Sequence, residues 1–94
     1  VQLHIETANI VAYPGALKAA AEGMRTGGDP RNRAYVEGRI TISAPDDRAA
    51  LCFDPQTSGG LLAAVPATRE QELLDQGWWR AGRIEAGPAG IALE

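Results

Sequence analysis

Glycine and proline fall at such short intervals that no regular element in this chain can be long. Pro14-Gly15, Gly23, Gly27-Gly28, Asp29-Pro30, Asp54-Pro55, Gly59-Gly60, Pro66, Gly77 and Gly87-Pro88 cut it into brief segments, and the apolar period changes from one segment to the next. Val1, Leu3 and Ile5 alternate with Gln2, His4 and Glu6, the period of a half-buried strand, which places His4 on the solvent side. Leu17, Ala20, Ala21 and Met24 recur at helical spacing, so an alanine-rich helix packs closely on a sheet. Ile40 and Ile42 make a second strand. Ser43 with Asp46 reads as a capping box that opens a helix running through Leu51, and Asp54-Pro55 ends it. Leu61-Leu62-Ala63-Ala64-Val65 is a continuous apolar run, expected to be a strand buried on both faces. Thr68 with Gln71 caps a helix carrying Leu73 and Leu74, and 81–85 and 90–93 are the last two strands. The predicted order is strand, helix, strand, helix, strand, helix, strand, strand. That is an α+β fold, an α/β sandwich with short helices packed on one mixed sheet, in a single domain over 1–94.

Packing must hold such a fold together. With Cys52 and His4 as the lone residues of their types, the 94-residue chain can form neither an internal disulfide nor a structural zinc site. Cys52 is read as a small buried apolar residue. Five aromatics are available to the core, and adjacent Trp78 and Trp79 face opposite ways in an extended segment, one capping the core and one half exposed or covering an interdomain surface. With 45% hydrophobic and 22% charged residues the chain is neither disordered nor membrane-spanning, and its first residues lack a signal-peptide layout, so the expected location is the cytoplasm. Net charge is −3, although residues 25–39 carry Arg25, Arg31, Arg33 and Arg39 against Asp29 and Glu37. No nucleic-acid motif accompanies that basic segment, so neither a nucleic acid nor a membrane is an expected partner.

Two stretches stand out chemically. Gly27-Gly28-Asp29-Pro30-Arg31-Asn32-Arg33 is read as a charged loop, with Arg31 and Asn32 as candidate anion contacts. In Gln56-Thr57-Ser58-Gly59-Gly60, successive backbone N–H groups and two hydroxyls could cradle phosphate oxygens, which makes Thr57, Ser58, Gly59 and Gly60 candidate nucleotide-binding residues. The run matches no Walker A pattern, and a turn that only punctuates the backbone is the alternative. No catalytic residue and no metal ligand is assigned. Asp46-Asp47 suits a helix start better than magnesium.

The string Phe53-Asp54-Pro55-Gln56-Thr57-Ser58-Gly59-Gly60-Leu61-Leu62 resembles the hallmark segment in the C-terminal domain of selenophosphate synthetase, or selenide, water dikinase. Pro14-Gly15-Ala16-Leu17, Ala21-Glu22-Gly23, Gly27-Gly28, Arg31-Asn32, Tyr35, Val65-Pro66 and Ala81-Gly82-Arg83-Ile84 extend the resemblance in the family's order. The chain departs from the family in Asp29-Pro30, where Thr or Ser commonly follows Gly-Gly, and in a shorter Glu70–Arg83 segment. The resemblance implies part of the C-terminal domain of a two-domain enzyme that uses ATP and magnesium to convert selenide and water to selenophosphate, AMP and phosphate. It further implies a superfamily shared with aminoimidazole ribonucleotide synthetase, an N-terminal ATP-binding domain as partner, small-molecule substrates, and a homodimer at full length. On that reading the chain is one wall of the active-site cleft, inactive alone and binding no cofactor tightly. A chain that begins in a strand pattern fits excision from a longer protein. The alternatives are another kinase or synthetase of the superfamily and a non-catalytic, stand-alone binding module.

Overall fold

The computed structural model describes residues 1–55 and 59–94. Its elements are β1 (Gln2–Ile5), α1 (Ala16–Ala21), α2 (Asp29–Val36), β2 (Ile40–Ile42), α3 (Asp46–Phe53), α4 (Glu70–Asp75), β3 (Gly82–Glu85) and β4 (Gly90–Leu93), with 3-10 turns at Thr7–Asn9 and Ala67–Arg69. The four strands form one mixed sheet in the order β2-β4-β1-β3: β4 runs parallel to both β1 and β2, and β3 runs antiparallel to β1. The α+β class follows. No helix among the described residues is long and apolar enough to cross a membrane.

Alternation in β1 separates the two faces as its sequence predicts. The register sets Leu3 beside Ile91 and Ile84, and Ile5 beside Leu93, while His4 falls beside Arg83 and Ala92. On the apolar face lies a small core of Ala49, Phe53 and Leu93, with Ile5, Val36, Ile40, Ala44 and Ile91 packed against it. α3 supplies the covering layer and touches α1, α2 and the Thr7–Asn9 turn. Fully buried Thr7 ties the sheet's end together, its N–H and Oγ1 both donating to the Glu94 carbonyl, at 2.9 and 2.7 Å.

Four sequence expectations are corrected. Residues 29–33 are not loop but the start of α2. Pro30 sits in the first turn, where the N–H it lacks has no helical partner to lose, and the Asp29 carboxylate favours the helix N-terminus and pairs with Arg33 at 2.8 Å. Leu61–Val65 is not a buried strand. It is an exposed, irregular segment, because β4 and β1 already occupy the interior of the sheet and no backbone bond joins 61–65 to another described residue. Neither capping box forms: α3 has Pro45 at its N-cap with Ser43 Oγ donating instead to the Leu93 carbonyl, and α4 follows a 3-10 turn with Arg69 at its N-cap. Lastly, His4 is not solvent-facing, since only 12% of its side chain is exposed beneath neighbouring charged side chains. Asp54-Pro55 does end α3, with Asp54 extended at ψ 125° as proline requires of the residue before it.

Candidate functional site

The fold sets residues 27–33 against Phe53 and Pro55, at the end of α3. The N-terminal turn of α2 abuts the C-terminal end of α3, and the contact is close because position 28 has no side chain. A Cβ there would lie 2.7 Å from Pro55 Cγ. Four residues on, Asn32 Nδ2 donates to the Phe53 carbonyl at 2.7 Å, accepting the role of a C-terminal cap for α3. The Arg33 guanidinium lies 4.2 Å over the Phe53 ring while its Nε donates to Asp29 Oδ1. Asp29 is buried, with Oδ2 lacking a hydrogen-bond partner. Together these contacts clamp the near end of the Asp54-to-Gly60 connection against α2.

The candidate residues separate here. Asn32, Gly59 and Gly60 line one open groove with Phe53 and Asp54, whereas Arg31 is exposed outside it and makes no hydrogen bond or ion pair with another described residue. Gly59 and Gly60 are exposed, and a Cβ at Gly60 would meet only Trp79, at 3.8 Å. The expectations for Thr57 and Ser58 lie outside the described residues, as does Gln56. Among the described residues no three His, Cys, Asp or Glu side chains converge as a metal site would require. Asp46 instead accepts from Arg25 at 2.6 Å, and Asp47 accepts from the Arg48 N–H. Cys52 is exposed rather than buried, and it lines the same open groove. Partial burial of its sulfur still pushes the thiol pKa up.

A second polar constellation escaped the sequence reading. On the sheet face opposite the helices, His4 Nδ1 lies 2.6 Å from Glu94 Oε1, and its Nε2 lies 3.6 Å from Glu85 Oε2. Arg83 reaches both carboxylates, at 2.7 and 3.0 Å. His4 Nδ1 donates to Glu94, and Nε2 is buried with no hydrogen-bond partner. The hydrogen bond from His4, then that from Arg83, holds the Glu94 carboxyl below its ordinary range. Arg83 does the same for Glu85. Only the alternation of His4 with Leu3 and Ile5 hinted at this face, because its partners come from positions about 80 to 90 residues later.

Comparison with curated proteins decides what the whole chain is related to. All 94 residues align at 40% identity with a selenide, water dikinase of Bordetella bronchiseptica. A selenide, water dikinase of Caldanaerobacter subterraneus is 38% identical over 74 residues, or 78% of the chain. Over its length the chain is thus similar to one part of the selenide, water dikinase family. Another member of that family, from Nitratidesulfovibrio vulgaris, is 27% identical over 98% of the chain. The chain spans about a quarter of the length of these selenide, water dikinases, between 22% and 28%. No protein-family model matches it, and no solved structure does.

Proposed function

We propose that the chain is part of the C-terminal domain of a selenide, water dikinase and forms one wall of the cleft in which selenide, ATP and water become selenophosphate, AMP and phosphate. The observation that carries this reading is the similarity, without a gap in coverage, of all 94 residues to one quarter of a protein of that name. The work asked of such a wall is positioning and exclusion of water. Phosphoryl transfer depends on those and on charge neutralisation more than on acid–base groups.

On this reading the Thr57-Ser58-Gly59-Gly60 turn faces the cleft and offers hydroxyl and backbone donors to phosphate oxygens or ordered water. Arg31 supplies a cation that no described carboxylate neutralises. Asn32 acts as a positioning residue, since its amide is already committed to the Phe53 carbonyl at the base of the connection. The acidic groups described here do not fit magnesium, so no step is assigned to a metal on this wall. The N-terminal domain of the same polypeptide is the proposed holder of the nucleotide and the metal. A cytoplasmic homodimer is the proposed full-length form.

The test is AMP production with selenide and ATP in the full-length protein. The Thr57→Ala/Ser58→Ala double variant should lower kcat by roughly 10- to 150-fold, as expected for losing about 1.5–3 kcal/mol from a bond to a charged group, with an unchanged melting temperature. Full activity in that variant sinks the cleft-facing turn. The 94-residue chain alone should form no AMP above background, and magnesium-dependent turnover by it would overturn the whole reading.

A further inference from the structure

We infer that the open apolar groove beside the sheet is a half-built core, and that an apolar segment from the remainder of the longer polypeptide fills it and pairs with residues 61–65 as a strand. The inference rests on the functional reading above, because it needs a polypeptide longer than these 94 residues.

Three observations converge on it. The groove encloses about 1,610 Å³, beyond the roughly 300–1,000 Å³ of pockets that hold small molecules. Of the twelve large hydrophobic residues exposed among the described residues, nine line this groove, so the exposed apolar surface is gathered on one side of the molecule. Leu61 and Leu62 are the sharpest cases, at 83% and 72% exposed. Finally, the backbone of 59–65 makes no hydrogen bond with another described residue.

These facts limit what can occupy the groove. A five-residue apolar run with bare side chains and an unpaired backbone needs apolar cover and a hydrogen-bonding ladder together, and an extended apolar segment supplies both at once. A small molecule supplies at most the cover. The same groove is bordered by Gly82 and Ile84 of β3, whose outer edge is unpaired in the sheet, so a second ladder lies within the same opening. The supply of polypeptide is set by the relatives, of whose length the chain accounts for only 22–28%. Filling the groove from that remainder turns the apolar run into the two-sided buried strand its sequence describes.

Hydrogen exchange of the full-length protein, read by mass spectrometry on peptides covering 61–65, is the test. Their amides should exchange at least about 100-fold more slowly than in an unstructured peptide of the same sequence, at a level near that of the β4 amides. Rapid exchange at 61–65 in a full-length protein that makes selenophosphate overturns the docking inference and leaves the functional reading intact. Slow exchange in a full-length protein without that activity supports the inference and sinks the functional reading. If the full-length protein gains that protection only as its concentration rises, the occupant is a second copy and the proposal fails. A native polypeptide that ends at 94 residues overturns both.

Discussion

Gly28 shows how a single absent methyl group can position a site. Its φ of −84° is open to any residue, so the constraint there is steric: an added Cβ would press on the Pro55 ring, whose atoms cannot swing aside as a flexible side chain would. Gly28→Ala should therefore destabilise the chain by about 1–3 kcal/mol in thermal unfolding, whereas Gly27→Ala, with nothing within 4 Å, should stay within about 0.5 kcal/mol. Equal effects at the two positions would remove the steric account of the α2–α3 clamp. Glu94 makes a second residue-scale prediction. The bond from His4 and then that from Arg83 lower its pKa in the folded chain, so on acidification the unfolded chain takes up its proton first, near the ordinary value of 4.5. The stability this group contributes is present above that pH and is lost as pH falls through the lower folded value. Glu94→Gln should flatten that acid limb, measured as the shift in urea midpoint between pH 7 and about pH 3.5. An unchanged midpoint shift in the variant would mean that the His4–Glu94 contact adds nothing.

At the scale of elements, β3 depends on Gly82 as α2 depends on Gly28. A Cβ at Gly82 would collide with the His4 carbonyl, in the antiparallel pairing of β1 with β3. Gly82→Ala should open that pairing while leaving the parallel β1–β4–β2 ladder in place, seen as fast amide exchange confined to β3 and its β1 partners. Exchange that stays slow throughout would show that the strands can slide to admit the methyl group. The contrast between the strands that were legible in the sequence and the one that was not has a physical cause. Leu3 and Ile5, Ile40 and Ile42 each carry their own alternation, and Ile5 and Ile40 pack against the core while Ile42 stays exposed. Leu61–Val65 has no alternation to bind it to one face, so its pattern states a demand for cover on two sides without naming the partner. α2 was hidden for the opposite reason. Asp29-Pro30 reads as a turn by composition, and only the first-turn tolerance of proline and the Asp29–Arg33 pair, four residues apart, reveal a helix. The candidate site was half legible: Asn32 and the Gly59-Gly60 pair do share a groove, yet the sequence gives no sign that Asn32 is spoken for by a backbone carbonyl 21 residues away.

The whole molecule is looser than its length warrants. Its radius of gyration is 14.0 Å, against about 12 Å for a compact chain of this size. The difference agrees with a core of six buried hydrophobic residues among those described. The isolated chain should therefore bind hydrophobic dyes and self-associate, with a sedimentation coefficient that climbs with concentration; a dye-negative monomer at every concentration would show that the groove closes on itself. Sheet order adds a kinetic consequence. β4 sits between β1 and β2 but is made last of the four strands, 88 positions after β1 begins. At synthesis rates of about 5–20 residues per second, β1 leaves the ribosome on the order of ten seconds before its parallel partner exists. Throughout that interval Leu3 and Ile5 lack the parallel neighbours Ile91 and Leu93 that β4 supplies, and β1 keeps an open edge.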